Sequence, residues 1–536
     1  MAENESNEYL NQVILSGKTL TIADVVSVAR NNAHITISDT SLKLVDASNN
    51  IVKSAIAKNA SAYGLKKITD SWQESIDVSE ITPGEKEPPA LEDPNIKTLI
   101  ALSQKSGVTF NKELVRAAML IRLNTILTGS TGATVELTAI LRDFLNQNII
   151  PVSVDPSPFI KKELINQSII ALTMTGKGMV YYNGKKVTAA VALKQAGIKP
   201  IRFTAIDAHT MLETNSIAVA YAVLIINDIS LLIDNAEIIF SMAQEGCGGS
   251  ISSLYETNLK AQPYKGLLKS ALRINQHLTG SYILQGSNVL INNKENIDLS
   301  TGIWELGRAR ETYDLIEKNI TIRLNSPDAD PIVQVDFDSS LDNPSLKSIY
   351  SIKTKNLTGM VYPSLAQDEI FWSLDIVNLT KALAGISSAS TVRIEAMQSK
   401  GVLSKGSDRH LANHIEQLND DIKRYSVRVL FPDYTLKNNT NMINSDFAAA
   451  YDQLQIIIEK LYYIITTEAI MTAQMMDLKK KENAPAQFTF GIGTTAALEA
   501  LRTQVPFIEK ENQFVKYINK AFQFIKSGEL KKALMK

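Results

Sequence analysis

The chain has 536 residues, of which 45% are hydrophobic and 21% are charged, a composition typical of a folded globular protein that can build two or more domains. Its 55 basic and 56 acidic residues leave a net charge of −1, without the basic excess that is typical of nucleic-acid-binding proteins. The polar, acidic N-terminus does not resemble a secretory signal, and a single cysteine, Cys247, excludes an intrachain disulfide framework, so a cytoplasmic location is expected.

The first 60 residues predict short elements of both kinds. Thr21 and Asp24 form a capping-box pattern, which predicts a helix over residues 22–30. Alternation of apolar and polar residues over 34–38 predicts a short strand, and residues 42–58 predict a second helix. The N-terminal part is therefore expected to mix helices and strands.

From Asn111 onward the sequence has the pattern of long helices. Leu114, Ala118 and Ile121 recur on one face of a predicted helix that stops at Gly129. Further long helices are predicted over residues 213–243, 266–279, 303–324, 366–386 and 445–478. The apolar run within the first of these is too short to span a membrane, so no membrane partner is expected. The residues alone thus predict a mainly α protein.

Segments spread over nearly the whole chain resemble the histidine, phenylalanine and tyrosine ammonia-lyase family. Residues 115–136 resemble the family's Arg-Ala-x-Met-x-x-Arg-x-Asn helix, and residues 305–331 resemble its long helix ending in Asn-Ser-x-x-Asp-Asn-Pro. The other matching segments are 20–38, 60–64, 181–201, 466–480 and 491–513.

This resemblance implies a mainly α ammonia-lyase fold, which is fumarase/aspartase-like. It has a mixed α/β N-terminal domain, placed at residues 1–205, and a long central helical bundle with C-terminal helices, placed at residues 206–536. The family also implies a homotetramer in which three subunits share each active site.

The most informative departure from the family lies at residues 160–162. Family members carry Ala-Ser-Gly there, which cyclises and loses water to make the methylidene-imidazolone (MIO) group, an internal electrophile. Gly176 and Gly178 fit the family's Gly-Glu-Gly, and counting back from them places Ile160-Lys161-Lys162 at these positions. Lysine has no β-hydroxyl to lose, and the flexible glycine is absent. We therefore expect no MIO cofactor and no ordinary ammonia-lyase reaction.

The family's pocket residues are mostly replaced as well. Tyr63 keeps the catalytic tyrosine, which acts as base or acid at the substrate's β-carbon. No arginine occurs between Arg273 and Arg308, so the arginine with which the family binds the substrate carboxylate has no replacement in this segment. The replaced positions carry Lys66 for an asparagine, Glu213 for the asparagine that helps to hold the MIO oxygen, Ser300 for the clamp arginine, Trp304 for a glutamine and Asn441 for a glutamate.

Two interpretations of these charged residues remain open. In the functional one, the catalytic residues are Tyr63, Lys161 and Glu213, with Lys161 as anion binder, Schiff-base former or base, and Glu213 as proton acceptor. The substrate-binding candidates are then Lys66, Lys162, His209, Ser300, Trp304 and Asn441, since His209 lies just before Glu213 and both can reach one site. In the structural interpretation, the lysines begin a solvated helix and Tyr63 is a packed core residue.

Two further patterns favour structural roles. His410 and His414 have the spacing of two metal ligands on a helix but no evident third ligand, so no metal site is predicted. Gly491 to Thr494 open a helix whose N-terminus can hold an anion.

Three functions are compatible with these features. The first is an MIO-independent enzyme of the lyase or cyclase type in specialised metabolism. The second is a catalytically silent paralogue that acts as scaffold or regulator, and the third is a small-ligand binder. The expected partners are a small molecule, further copies in a homotetramer, or another ammonia-lyase-like chain, and no nucleic acid.

Overall fold

The structure is a computed structural model in which helices dominate and strands are short, as the sequence predicts. It describes residues 12–57, 108–109, 111–155, 162–249, 252–284, 301–329, 331–336, 350–354, 356–364, 370–402, 408–427, 433–437, 440–444, 447–482, 489–509 and 512–535.

Helices and strands alternate in the first part of the chain, and long helices prevail after it. The helices are α1 (Ile22–Asn31), α2 (Asp39–Ala57), α3 (Lys112–Ile126), α4 (Val135–Asn146), α5 (Lys162–Met174), α6 (Ala189–Ala196), α7 (Ala205–Leu212), α8 (Ser216–Cys247), α9 (Glu256–Ala261), α10 (Lys265–His277), α11 (Gly302–Leu324), α12 (Ile370–Ser399), α13 (Asp408–Val427), α14 (Phe447–Glu482), α15 (Ile492–Arg502), α16 (Asn512–Lys526) and α17 (Glu529–Ala533). The strands are β1 (Gln12–Leu15), β2 (His34–Ile37), β3 (Val108–Thr109), β4 (Ile150–Pro151), β5 (Val154–Asp155), β6 (Met179–Tyr182), β7 (Lys185–Thr188), β8 (Ile332–Val335), β9 (Ser351–Lys353), β10 (Thr358–Tyr362), β11 (Asp433–Lys437) and β12 (Thr440–Asn444).

The chain forms two compact units. Unit 1 is Met1–Leu224 with Asn319–Glu369, and unit 2 is Ile225–Lys318 with Ile370–Lys536. The division falls inside α8 and α11, so each of these long helices contributes residues to both units. Each unit thus consists of two separate segments of the chain. The sequence predicts a single domain boundary, between residues 205 and 206, and this boundary stays a prediction.

The first helix begins where the sequence predicts it. The Thr21 hydroxyl accepts a hydrogen bond from the Asp24 N–H at 3.1 Å, and the Asp24 carboxylate accepts one from the Thr21 N–H at 3.0 Å, which is a capping box. Asn32 ends the helix in the left-handed region at φ 55°. Because α1 is the crossover between β1 and β2, these strands pair in parallel, with Gln12 opposite His34.

Helix α3 lies in the core of unit 1. The predicted stripe of Leu114, Ala118 and Ile121 is buried, but so is every other residue of Leu114–Ile126. From Leu114 onward the helix therefore has no solvent face, although this part of its sequence includes two arginines. Burying an arginine costs free energy unless its N–H groups are bonded, and Arg116 donates to backbone carbonyl groups.

Small antiparallel sheets flank these helices in unit 1. The sheet β8–β10–β9 packs against α2, and a buried apolar cluster that includes Ile51, Val52, Val333 and Val361 fills the space between them. Gly359 in β10 permits this approach, because a Cβ there would lie 2.3 Å from Ile51 Cδ1. A second sheet has the order β4–β6–β7.

Unit 2 is a helical bundle in which α12, α13 and α14 pack against one another. Two differences from prediction lie here. Helix α12 was expected over 366–386 but continues to Ser399, and α13 was not among the predicted long helices. Small polar residues in the second half of α12 are buried rather than solvated. Ser387, for example, donates a 2.8 Å hydrogen bond to Asn419 of α13. Packing against α13 therefore stabilises α12 beyond its predicted end.

Helix α8 is a core helix. The stretch Ala205–Cys247 is apolar and long enough to cross a membrane by length and composition, but 67% of its apolar window is buried inside the protein. Asp234 and Glu237 lie on the same helix, and both accept hydrogen bonds from Arg310 of α11 within unit 2. Burial of its apolar residues and pairing of its acids are typical of the core of a soluble protein.

Candidate functional site

A small cavity in unit 1 brings together polar and charged side chains. It encloses about 10 Å³, which is room for about one water molecule. Helix α3 contributes Arg122, and α7 with its C-terminal cap contributes His209, Thr210 and Glu213. The other lining residues are Val52, Thr131, Ile206, Ala329, Pro331 and Val333.

The local sequence determines where Glu213 lies. Helix α7 begins with a capping box between Thr204 and Asp207, and Asp207 also accepts a 2.8 Å hydrogen bond from the Thr134 N–H at the start of α4. The helix ends at Leu212. Its C-cap is Glu213, whose N–H donates to the His209 carbonyl oxygen at 2.9 Å and whose ψ of 78° is not helical. His209 and Glu213 therefore line one cavity, as the sequence suggests.

A buried ionic network adjoins this cavity. Arg122 donates to Asp328 with an Nη1–Oδ1 distance of 2.6 Å, and neither side chain is exposed. Arg122 also donates to the carbonyl oxygen of Thr210. The second carboxylate oxygen of Asp328 accepts a 2.6 Å hydrogen bond from the Thr214 hydroxyl and lies 3.2 Å from Arg323 Nη2.

Asp328 is held as an anion by this network. Burial by itself raises the pKa of a carboxyl group, but Arg122, Arg323 and the Thr214 hydroxyl together hold the pKa of Asp328 below its ordinary value. A buried ion pair is costly to break, because removing one partner leaves an uncompensated charge. The network is therefore a fixed anchor at neutral pH.

The residues of this network were not predicted to form a site. Arg122 and Asp328 both lie in segments that carry the family resemblance, 115–136 and 305–331, so the signal was present. Their pairing, however, joins positions 206 residues apart, and an aspartate and an arginine so far apart give no pattern that predicts a contact.

The other predicted site residues are distributed as follows. Lys162 is the first residue of α5. Trp304 lies in the first turn of α11 in unit 2 and is 39% exposed, and Asn441 lies on β12, opposite Leu436 of β11. The candidates outside the described residues are Tyr63, Lys66, Lys161 and Ser300. Among the described candidates, the structure brings His209 and Glu213 together in one cavity.

The glycine-containing helix start at Gly491 and the histidine pair His410 and His414 both lie in unit 2. The Gly491 N–H at the start of α15 donates a 2.7 Å hydrogen bond to Glu245 Oε1, so the anion at this helix end is a buried carboxylate of the chain itself. His414 packs edge-on against Tyr463 with ring centroids 5.3 Å apart. No group of three or more potential metal ligands of the His, Cys, Asp and Glu types occurs in the part of the chain that the structure describes.

Comparison with known proteins identifies relatives over the whole length. Histidine ammonia-lyase of Treponema denticola is 33% identical over 272 residues, which are 50% of this chain and 52% of that protein, so this match spans about half of the relative's length. Histidine ammonia-lyase 2 of Fusobacterium nucleatum is 24% identical over 539 residues, which cover 96% of each chain.

Solved structures show the same fold. The ergothioneine-degrading enzyme ergothionase from Treponema denticola matches with a TM-score of 0.78 at 22% identity, covering 97% of this chain and 99% of that chain. Histidine ammonia-lyase from Trypanosoma cruzi also gives 0.78, at 17% identity, covering 98% and 95%. These matches confirm the predicted ammonia-lyase fold. Because the model of the aromatic amino acid lyase family matches residues 20–503, this chain belongs to that family.

Proposed function

We propose that this chain is a lyase that works without the MIO group, and that its substrate is the betaine of an aromatic amino acid. The observation that carries the proposal is Ile160-Lys161-Lys162 at the position of the family's Ala-Ser-Gly. These side chains do not fit an MIO group, because none has a hydroxyl to lose and no glycine follows Lys161. The amine must then leave without that electrophile.

A betaine is the substrate class that meets this condition. An electrophile activates an amine as a leaving group by accepting the amine's lone pair, but a quaternary ammonium nitrogen has no lone pair to give. It leaves as a neutral tertiary amine. In the reaction a base takes the proton from the β-carbon, the Cα=Cβ bond forms, and the Cα–N bond breaks with its electron pair going to the amine. Atoms and electrons balance without a further reactant.

One structural neighbour supports this substrate class by its name. Ergothionase is described as an ergothioneine-degrading enzyme, and ergothioneine is the trimethylammonium betaine of a sulfur-substituted histidine. The shared fold alone does not transfer a substrate. Together with the loss of the Ala-Ser-Gly triad, it makes aromatic betaines the first compounds to test.

The proposal gives roles to the residues that the sequence singled out. Tyr63 takes the β-proton, and Lys161 binds the substrate carboxylate as a point charge in place of the arginine fork. Glu213 is the proposed counter-charge of the cationic nitrogen, and Trp304 is a further proposed binding residue. The remaining proposed binding residues are Lys66, Lys162, His209, Ser300 and Asn441.

The proposed biological setting follows the family resemblance. We propose a homotetramer in the cytoplasm that acts on a small molecule in specialised metabolism. Assembly with another ammonia-lyase-like chain is the alternative to self-association.

A second candidate is a catalytically silent paralogue that scaffolds or regulates a partner or binds a small ligand. The observation that favours it is the size of the cavity beside Glu213, about 10 Å³ among the described residues. Ligand pockets usually enclose several hundred Å³. A silent paralogue would keep the fold and need no such space.

Turnover of betaines separates these candidates. The purified protein is incubated with ergothioneine and with the trimethylammonium betaines of histidine, phenylalanine and tyrosine, and trimethylamine is quantified by NMR. The unmethylated L-amino acids are matched control substrates. The proposal expects trimethylamine and an α,β-unsaturated acid from at least one betaine, both lost in Tyr63→Phe. No product from any betaine would contradict the proposed substrate class and favour the silent paralogue.

A further inference from the structure

We infer that Asp328 is a positioning residue for Glu213, acting through the hydroxyl of Thr214. The inference rests on the proposed function only for its effect on turnover. Its structural content, that a buried carboxylate fixes the turn carrying Glu213, rests on the contacts of unit 1.

The backbone around Glu213 needs support from outside the helix. Helix α7 ends at Leu212, and Glu213 has left the helical region with φ −88° and ψ 78°. Its N–H donates to His209, and the next N–H, of Thr214, donates to the Leu212 carbonyl oxygen at 3.2 Å. These are local bonds of a turn, and they do not tie the turn to the rest of unit 1.

The Asp328 network supplies that tie on both sides of Glu213. On the N-terminal side, Arg122 donates to Asp328 and also to the carbonyl oxygen of Thr210. On the C-terminal side, the Thr214 hydroxyl donates to Asp328 at 2.6 Å. A single buried carboxylate thus connects, directly or through one guanidinium group, the chain before and after Glu213.

A second arginine continues the support past Thr214. Arg323 Nη2 donates to Asn215 Oδ1 at 2.6 Å and lies 3.2 Å from Asp328 Oδ2. The Ser216 N–H at the start of α8 in turn donates to the Thr214 hydroxyl oxygen at 3.1 Å. Thr214 is therefore both donor to Asp328 and acceptor from the next helix, and its hydroxyl joins the turn to the network.

The test removes this hydroxyl without disturbing the buried charges. Asp328→Asn would leave two arginines with a weakened counter-charge and can unfold the protein, so the informative variant is Thr214→Val, which has the same shape. Thr214→Ser restores the hydroxyl. The matched control is Thr125→Val, which removes another hydroxyl bonded to Arg122, at 3.3 Å, but on α3 and away from the turn.

Amide hydrogen exchange, read by mass spectrometry, reports the turn without any ligand. We expect Thr214→Val to raise exchange at the amides of residues 212–216 about tenfold or more, with other segments unchanged, and Thr214→Ser and Thr125→Val to match the wild type. Unchanged exchange at residues 212–216 in folded Thr214→Val would overturn the inference. An equal increase throughout unit 1 would also overturn it, because it would indicate general destabilisation.

Turnover of a betaine distinguishes failure of this inference from failure of the proposed function. If a betaine is consumed, Thr214→Val lowers kcat on the order of tenfold with KM nearly unchanged, and Thr214→Ser restores it, since small displacements of a catalytic group cost rate. Normal turnover by Thr214→Val together with loss in Glu213→Gln would refute positioning but keep the function. Absence of turnover in the wild type would refute the function, and the exchange result would still decide the structural claim.

Discussion

The N–H of Gly491 donates a hydrogen bond to a carboxylate oxygen of Glu245 that is 2.7 Å away, at the start of α15 in unit 2. Glu245 is fully buried. The first N–H groups of a helix lack partners within the helix and carry partial positive charge, so a carboxylate there satisfies both needs. An anion-binding pattern in the sequence is thus used for an internal contact.

This contact predicts an unusual pH dependence. Burial, the largest effect, raises the pKa of Glu245 above its ordinary value, although hydrogen bonds from Ser281, Thr494 and Gly491 lower it in part. A raised pKa in the folded state means that the contribution of Glu245 to stability is fully present below its unfolded pKa and is lost as pH rises through its folded pKa. Glu245→Gln keeps an acceptor for Gly491 and removes this loss.

The melting temperature of Glu245→Gln relative to wild type is therefore expected to increase as pH rises from about 4, below the ordinary pKa of 4.5, to about 8. Glu245→Ala is the matched control, because it leaves the Gly491 N–H without its acceptor and should destabilise by about 1–3 kcal/mol at every pH. A difference between Glu245→Gln and wild type that stays constant or falls over this range would contradict the pKa direction.

Removing one partner of the buried pair of Arg393 and Glu468 should strongly destabilise the protein. The side chains of this pair are only 3% and 1% exposed. Glu468→Gln leaves the arginine charge without compensation and should destabilise by about 3–5 kcal/mol. Glu529 pairs with Lys532 on the surface at 2.7 Å, so Glu529→Gln should change stability by less than about 1 kcal/mol. Equal effects of the two variants in urea unfolding would contradict this ranking.

Exposed apolar side chains on the long helices predict self-association. Leu272, Leu315 and Leu374 are each about half exposed or more in the single chain. Apolar surface of this kind on helices is typical of protein–protein interfaces when it forms contiguous patches. With the family resemblance, it predicts a homotetramer. Sedimentation equilibrium at micromolar concentration should give four times the mass of the chain, and a stable monomer would refute the prediction.

If betaine turnover is found, Tyr63 should matter more than Lys162. A tyrosine hydroxyl has an ordinary pKa of about 10 and needs a nearby cation to act as a base at neutral pH, and in the proposal Lys66 or Lys161 provides it. Tyr63→Phe should abolish turnover and Lys162→Ala should reduce it less than about tenfold, because a lysine beside Lys161 adds only a second point charge. Full turnover by Tyr63→Phe would show that the pocket corresponding to the family's active site is not the active site of this chain.

The sequence predicted structural features correctly where they depend on residues that are close together in the chain. The Thr21–Asp24 capping box and the helix stop near Gly129 depend on residues within a few positions of one another, and the structure confirms both. The predicted long helices are present as well, although the one expected over 213–243 begins at Ser216 and α12 extends to Ser399. The family resemblance added the fold, which no periodicity could supply. Glu213 and His209 line one cavity because they lie one helical turn apart, and their role as site residues stays a prediction.

What the sequence could not provide was long-range pairing. The bond from Arg122 to Asp328 and the bond from Arg393 to Glu468 each join residues 75 or more positions apart, and their partners are chosen by packing. The end of α12 was wrong for the same reason, since the burial of Ser387 against α13 depends on a helix further along the chain.

We propose that this member of the aromatic amino acid lyase family lacks the MIO group, and the intact mass of the protein tests this most directly. The purified protein is expected to have the mass of the unmodified sequence, and a proteolytic peptide covering residues 160–162 is expected to be linear and unmodified. MIO formation removes two waters. A mass lower by two waters, mapped to a cyclised backbone at residues 160–162, would contradict this proposal.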